Sequence, residues 1–504
     1  MSKSLLIYFA LMIIVSITNA QHKIVALSDP EYDKIDKSKA VIKGKIINAT
    51  KEELKAINIQ YAMVNITEPL QTTFRTKVSD DGLFLIEQNQ NLPYQQVWFS
   101  FDKYAYTCLY LHDGLDITFD LEKLKQKSVF ILGDGMVFGG KDAILNQSMN
   151  EYILFVNQHN ADFNKQVNSL NSEDKDYIQK LASLYAIQRK IDKNFTTENS
   201  DYDFLIQANT NAQYNYRLLS YYLQNDIKAE NLSSLLTPIY SISNDTGNYI
   251  RFLRYYMHSL YSIKYPGTIK NYAPVFDFID SILAKNFSEI IKLNFDDKDI
   301  ITQNNIYKEA LLSSKSNWAK RLLQQEIENL NKKEKEIKDL LAANIVNKES
   351  DLGTLINSLP FNANLYLDKS ADGNSLLKEI KASFPNKLII LDIWATWCVP
   401  CLEQMPASKQ LHDLVHQQNL PIEFVYLCTD RSSDRAKWEN KIAELKQPGT
   451  HLFVNNKNIS ELFQLFNRGG YPTYVAIKPN GEIDTKSISW INQLKIEDLK
   501  KMLE

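Results

Sequence analysis

The feature of this sequence that most constrains its fold is a pair of cysteines, Cys398 and Cys401, that closely follows an apolar run at residues 388–393. A continuous apolar run of this length is typical of a strand that is buried on both faces of a sheet. The residues after the first cysteine, 399–416, have the pattern of a helix. A buried strand that leads into a helix predicts an α/β arrangement for this part of the chain.

The spacing of Cys398 and Cys401 favours disulfide chemistry, because two sulfurs one helical turn apart can form a bond. The first thiol would face the free N–H groups and the positive end of the helix dipole, which favours the thiolate, the nucleophile of thiol–disulfide exchange. The same spacing also occurs in zinc sites, but zinc needs two more ligands. Cys428 and His451 are scattered in the sequence, so we expect no stable metal.

Two more residues add to the specificity of this pattern. Asp392 lies within the apolar run, where burial would raise the pKa of its carboxyl and allow it to exchange protons with Cys401. The alternative is an aspartate at a strand end that is satisfied by backbone groups. Pro472, after Tyr471, begins a further strand, and it is either a cis-proline beside the dithiol or an ordinary turn proline.

Two tryptophans flank the dithiol. Trp394 and Trp397 either shape a surface on which a partner docks or simply pack. The remaining cysteines, Cys108 and Cys428, lie in apolar strand patterns, and we interpret them as small buried hydrophobic residues.

The C-terminal part of the chain alternates strands and helices in the order βαβαβαββα. A stretch rich in Gly, Asn and Pro, residues 351–373, is interpreted as its link to the preceding region. After the first strand and helix, the predicted elements are strands at 422–428, 450–454, 473–477 and 482–487 and helices at 432–445, 459–466 and 495–503.

The residues from Leu391 to Cys401, with Met405-Pro406 and the later Gly470 to Tyr474, resemble thioredoxin-like proteins of the TlpA/ResA group. This resemblance covers about residues 350–504 and implies a thioredoxin fold and an envelope thiol–disulfide oxidoreductase. It further implies particular roles: Cys398 attacks, Cys401 resolves, Pro472 is the cis-proline, and Pro406 kinks the active-site helix. Many members have a glutamate just before the Met-Pro pair, whereas this chain has Gln404.

The region before the helices has a β pattern over residues 38–133. Six or seven short strands with polar turns predict a small β-sandwich. The turn signal at residues 79–82 lies between two strand candidates and predicts a hairpin. This region resembles, more weakly, the β-rich domain of unknown function that precedes such redox domains in Gram-negative envelope proteins.

The middle of the chain, residues 141–348, has few Gly and Pro residues and has apolar residues three and four positions apart. This pattern predicts seven or eight helices. A long, charged helix at residues 317–346 is expected to be exposed to solvent and to lead into the last domain.

The first twenty residues have the pattern of a secretory signal peptide. Lys3 supplies the positive charge, residues 5–17 form an apolar run, and Ala20 ends it with a small residue. An uncleaved membrane anchor is the alternative, although the run is short for a membrane span. The predicted organisation is a signal peptide at 1–20, a β-sandwich domain at 21–140, an all-α helical domain at 141–348 and an α/β thioredoxin-like domain at 349–504.

The net charge of −3 gives no indication of a nucleic-acid partner, for which a basic stripe is expected. The sequence therefore predicts a thiol–disulfide oxidoreductase of the periplasm or cell envelope, without an organic cofactor. Its partners would be disulfide-containing envelope proteins and a membrane or envelope electron donor. Trp397 and Tyr471, with Trp394, are the candidate binding residues. The alternative function is an envelope binding or assembly protein, in which the first 330 residues or so capture a partner and the dithiol is accessory.

Overall fold

The computed structural model describes residues 24–34, 39–68, 70–88, 92–198, 200–229, 232–267, 269 and 271–503. The chain packs into two compact units. The first comprises the described residues of Met1–Lys264 with Ala284–Ile290, and the second those of Tyr265–Leu283 with Ile291–Glu504.

The predicted signal peptide lies outside the described residues. Among the residues that the structure does describe, no helix has the length and apolar character that crossing a membrane requires.

The first unit contains two β-sheets that share one apolar core, as the predicted sandwich requires. One sheet has the strand order β4-β1-β7-β9 and the other β3-β2-β5-β6-β8. Buried residues of both sheets, such as Ile42 and Ile117 on one and Val97 and Leu109 on the other, belong to the same cluster. The strands are β1 (Val41–Ile47), β2 (Ile59–Val64), β3 (Gln71–Thr76), β4 (Leu83–Glu87), β5 (Gln95–Phe101), β6 (Ala105–Leu111), β7 (Leu115–Asp120), β8 (Val129–Phe130) and β9 (Met136–Gly140).

The predicted hairpin around residues 79–82 is wrong. The turn is present, with Gly82 at a φ of 79°, but β3 pairs with β2 in one sheet whereas β4 pairs with β1 in the other. The chain therefore crosses between the two sheets at this turn. A short polar turn serves such a crossing as well as it serves a hairpin, so the local sequence cannot distinguish the two.

Helices follow the sandwich, as the apolar spacing predicts. The helices of the chain up to the start of the last sheet are α1 (Lys51–Ala56), α2 (Leu121–Gln126), α3 (Ala143–His159), α4 (Phe163–Asn168), α5 (Tyr177–Glu198), α6 (Asp203–Gln224), α7 (Asn244–Lys264), α8 (Ala273–Ile282), α9 (Lys285–Leu293), α10 (Ile300–Ser313) and α11 (Asn317–Ala343). The long helix α11 is only partly exposed, since Trp318, Leu322, Leu323 and Ile337 are buried.

The second unit is built on an eight-stranded sheet with the order β10-β11-β12-β15-β14-β13-β16-β17. Four neighbouring strands of this sheet run parallel, namely β12, β15, β14 and β13, and β16 runs antiparallel to β13. The strands are β10 (Ile345–Ser350), β11 (Gly353–Leu359), β12 (Ala363–Leu367), β13 (Leu388–Trp394), β14 (Ile422–Thr429), β15 (Gly449–Val454), β16 (Thr473–Ile477) and β17 (Ile483–Asp484).

Strands β11 and β12 occupy residues for which the sequence predicted only a link. Pro360 and Asn362 lie in the tight turn between the two strands, where Asn362 has a φ of 60°. Ile356 and Leu365 are buried and join the core of the sheet. This part of the stretch is therefore a hairpin of the sheet, in which β11 and β12 pair antiparallel.

The buried strand β13 separates two apolar clusters, one on each face of the sheet. Ile390 and Trp394 belong to the cluster that contains both cysteines of the dithiol, whereas Leu391 and Ile393 belong to the opposite cluster. Because side chains alternate along a strand, Asp392 lies on the same face as the dithiol. The helices of this part are α12 (Gly373–Ser383), α13 (Val399–Gln417), α14 (Arg435–Leu445), α15 (Asn456–Phe466) and α16 (Ile496–Leu503).

Candidate active site

A disulfide joins Cys398 and Cys401 at the N-terminus of α13, with the two Cα atoms 5.3 Å apart. Cys398 is the N-cap residue, and its sulfur accepts a hydrogen bond of 3.2 Å from the Cys401 N–H. A sulfur at this position can bear negative charge, because it faces unpaired backbone donors and the positive end of the helix dipole. Pro400 lies in the first turn, where its missing N–H does no harm.

The peptide bond between Tyr471 and Pro472 is cis. Pro472 directly precedes β16, whose first residue, Thr473, pairs with Ile393 of β13. The Tyr471 ring lies edge-on against the ring of Trp397, with the centroids 5.5 Å apart. Since Trp397 adjoins Cys398, the structure brings the cis-proline loop and the dithiol to the same edge of the sheet.

Trp397 is 45% exposed, yet its position is fixed. Its indole N–H donates a 2.7 Å hydrogen bond to the carbonyl of Arg431. Thr396, the residue before Trp397, is also fixed, because its hydroxyl forms a 2.8 Å hydrogen bond with the hydroxyl of Ser433. The loop between β14 and α14 therefore fixes Thr396 and Trp397, the two residues that precede Cys398. The sequence pattern does not indicate Arg431 and Ser433, because they lie more than thirty residues from the dithiol and have no motif of their own.

Asp392 is buried, with 4% of its surface exposed. In the described part of the chain, its Oδ1 has no hydrogen-bond partner, so backbone groups do not satisfy that oxygen. The register places Tyr426 of β14 and Tyr474 of β16 on either side of it. Burial raises the pKa of Asp392 to about 8, because a low-dielectric site disfavours the charged form.

Residues 386–483 match the family model of thioredoxin-like domains. The C-terminal domain is thioredoxin-like. Curated relatives include two thiol-disulfide oxidoreductases named ResA. The one from Oceanobacillus iheyensis is 35% identical over 99 residues, which are 19% of this chain and 47% of that protein. The one from Geobacillus kaustophilus is 27% identical over 123 residues, 24% of this chain and 65% of that protein. The chain thus spans less than two thirds of the length of either relative.

Two solved structures are also similar to part of this chain. The thioredoxin domain of a thiol-disulfide oxidoreductase from Bacteroides vulgatus matches 24% of this chain and 84% of its own chain, with 17% identity and a TM-score of 0.22. A thiol:disulfide interchange protein of the thioredoxin family from Chlorobium tepidum matches 24% of this chain and 81% of its own, with 19% identity and a TM-score of 0.20.

Trp394 and Cys428 lie beneath the site in the thioredoxin-like domain. They face each other in the register of β13 and β14, and Trp394 is only 1% exposed. The position of Trp394 thus favours the packing alternative over contact with a partner. Burial raises the pKa of the Cys428 thiol well above its usual range, so this thiol stays protonated and unreactive.

Gln404 precedes the Met405-Pro406 pair on α13. It is buried, and its side-chain oxygen accepts a 3.0 Å hydrogen bond from the backbone N–H of Asn492. The amide therefore ties α13 to the short turn before α16. Pro406 lies inside α13.

A groove of about 490 Å³ adjoins the dithiol on the cis-proline side. It is lined by the aromatic rings of Trp397, Tyr471 and Phe463, with Arg431 and Asn456 among its polar residues. Phe463 packs edge-on against Tyr471 at 5.3 Å. Phe463 was not predicted as a site residue, although its helix, α15, was predicted. The described residues contain no group of three side chains suited to hold a metal ion.

Proposed function

We propose that this protein exchanges thiols and disulfides with client proteins through Cys398 and Cys401. The observation that carries the proposal is the disulfide at the N-terminus of α13, next to the cis Tyr471–Pro472 bond. A dithiol in this position combines a stabilised thiolate with a nearby resolving thiol, which are the two requirements of a catalytic exchange.

The reaction proceeds in two balanced steps. The Cys398 thiolate attacks one sulfur of a client disulfide, forms a mixed disulfide, and releases the other client sulfur as a thiolate. The Cys401 thiolate then attacks the Cys398 sulfur, releases the client's second thiolate, and forms the Cys398–Cys401 disulfide. Two electrons pass from the protein to the client, and an envelope electron donor restores the dithiol.

Asp392 serves the second step as a proton acceptor for Cys401. It lies on the same face of the sheet as the dithiol, and its pKa of about 8 is close to that of a thiol. Matched pKa values favour proton transfer, so the second step accelerates as the pH approaches 8. Water is the alternative acceptor, since Gln404 cannot take up a proton.

The direction of transfer is reduction of the client. The Val399-Pro400 dipeptide between the cysteines carries no charge that would further stabilise a Cys398 thiolate. A strongly lowered thiol pKa is typical of strong oxidants, because it stabilises their reduced form. A redox titration of the full chain against glutathione tests this. A potential near the roughly −270 mV of reducing thioredoxins supports the direction, and one near the roughly −120 mV of strong oxidants contradicts it.

The cell envelope is the proposed location. The residues before position 21 have the charge, apolar run and small terminal residue of a secretory signal. The clients would then be disulfide-containing envelope proteins. Fractionation of cells that express the full chain, with sequencing of the mature N-terminus, tests both the location and cleavage after Ala20.

A further inference from the structure

A second groove adjoins the dithiol and shares Trp397 with the first. It has a volume of about 340 Å³, and the thioredoxin-like domain contributes Thr396, Trp397 and Val399 to its lining. The opposite wall comes from the loop between α9 and α10, namely residues 296–299, which we call the α10 loop. This loop precedes Cys398 by about a hundred residues in the sequence and belongs to the same compact unit.

A buried lysine of α14 anchors the α10 loop. The Lys441 ammonium donates to the carbonyl of Lys298 and pairs with the carboxylate of Glu444. Lys441 is 7% exposed. Glu444 also pairs with Lys333 of α11 at 2.6 Å. A buried ammonium that loses its partners is costly, so this network fixes the loop against α14.

An apolar cluster reinforces the anchor. Ile300 of α10, Ile337 of α11 and Ala443 of α14 are buried together, with Leu330 and Leu340 of α11 packed against them. Helices α10 and α11 therefore dock onto the thioredoxin-like domain through both apolar and ionic contacts.

The loop has internal order as well. The Asp299 side chain caps α10 by accepting the N–H of Thr302 at 2.9 Å. The Asp297 side chain accepts the N–H of Asp299 at 2.7 Å. Asp296 and Asp297 are nevertheless exposed, so the α10 loop presents charged side chains to the groove from a fixed backbone.

We propose that the α10 loop is a specificity-determining wall of the client-binding surface. It would contact the polypeptide segment that flanks the client cysteine when that cysteine is bonded to Cys398. The inference rests on the proposed function and extends it, because it gives part of the helical region a direct role in choosing the client.

The geometry favours an extended protein segment as the occupant. Trp397 and Val399, on either side of Cys398, are 45% and 40% exposed, which leaves apolar surface open on both flanks of the reactive sulfur. A client residue next to the bonded cysteine lies within about 4 Å of it along the chain, and the next residue within about 7 Å. The flanking residues must therefore lie over this surface, whereas a small disulfide need not.

The test measures whether a charge change in the loop alters discrimination between clients. Two peptide disulfides differ only in whether lysine or glutamate flanks the cysteine. The ratio of the exchange rates of the two peptides is measured with the reduced full chain and again with its Asp297→Lys variant, and the two ratios are compared. The matched control is Glu482→Lys, an exposed residue after β16. Ile477, the last residue of β16, pairs with Ile389 at the start of β13, so Glu482 lies at the edge of the sheet opposite the dithiol.

The proposal predicts that Asp297→Lys lowers the lysine-to-glutamate rate ratio about threefold or more, as expected for contacts between exposed charges. The shift should fade at about 1 M salt, where the Debye length falls to about 3 Å. Glu482→Lys should leave unchanged both the ratio and the rate with hydroxyethyl disulfide, which is small and neutral.

An unchanged ratio in Asp297→Lys, with normal exchange activity, overturns the proposal while leaving the proposed function intact. Absence of exchange by the wild-type chain overturns the proposed function itself. If Asp297→Lys unfolds, Asp297→Asn keeps an oxygen that can accept the Asp299 N–H. This variant should then shift the ratio in the same direction by a smaller amount, and no shift would contradict the proposal.

Discussion

The ring of Trp397 lies edge-on against the ring of Tyr471, with an interplanar angle of 83° and centroids 5.5 Å apart. This contact joins the dithiol turn to the cis-proline loop. Edge-to-face pairs contribute about 0.5–1.5 kcal/mol beyond the area they bury. A double-mutant cycle of Trp397→Ala and Tyr471→Ala should therefore give a coupling of that size in the free energy of unfolding. Additive effects of the two substitutions would show that the contact is not energetically significant.

Replacement of Asp392 by asparagine should increase stability at alkaline pH. The carboxyl has a pKa of about 8 in the folded chain and about 3.9 when unfolded. Between these values the folded state holds a proton that the unfolded state has lost, so stability falls by up to about 1.4 kcal/mol per pH unit. Asparagine carries no titrating proton, so this loss disappears in the variant.

Urea denaturation at pH 5 and pH 8 checks the effect. The stabilisation by Asp392→Asn should be larger at pH 8 than at pH 5. Asp413→Asn, an exposed position on α13, serves as the control. A stabilisation of equal size at both pH values would contradict the account of Asp392.

Gln404→Ala should destabilise the domain by about 0.5–1.5 kcal/mol, because the backbone N–H of Asn492 would lose its acceptor in a part-buried hydrogen bond. Gln404→Glu keeps an acceptor but buries a carboxyl. We therefore expect it to be close to wild type at pH 4, where the carboxyl can stay protonated, and less stable at pH 8. Chemical denaturation of both variants separates the effect of losing the hydrogen bond to Asn492 from the effect of adding a buried charge. A Gln404→Ala variant as stable as the wild type would contradict a stabilising role of this hydrogen bond.

Cys428 should have no part in the exchange. It is buried, and the pKa of its thiol is raised by burial. Cys428→Ala should reduce client disulfides at a rate within about twofold of wild type, since only the thiolate is reactive. Iodoacetamide labelling of the native reduced chain, analysed by mass spectrometry, should modify Cys398 well before Cys428. Early labelling of Cys428 would show that it is accessible.

The sequence was sufficient for the parts of the site that are local. The apolar run of β13 and the cysteine spacing each depend on neighbouring residues, so the strand and the helix start were predictable. The residues around Pro472 left a cis-proline and an ordinary turn proline open, and only the family resemblance implied the cis bond that the structure has. The hairpin at residues 79–82 was not, because the strands on either side of that turn belong to different sheets.

Contacts between distant residues account for the rest of what was missed. Nothing near Arg431 indicates that its carbonyl accepts the indole N–H of Trp397. In the same way, the α10 loop reaches the dithiol only because Lys441 and the apolar residues of α10 and α11 meet on α14. Such relationships follow from tertiary packing, which the local pattern does not record.

The most direct test of the account is capture of the mixed disulfide with Cys401→Ser and insulin as a model client. Cys398 should form a bond with an insulin cysteine that the variant cannot resolve. A covalent adduct should therefore accumulate, and dithiothreitol should release it. The adduct should be absent from Cys398→Ser and short-lived in the wild-type chain. An adduct of equal yield in Cys398→Ser, or none in Cys401→Ser, would contradict the assignment of Cys398 as the attacking sulfur.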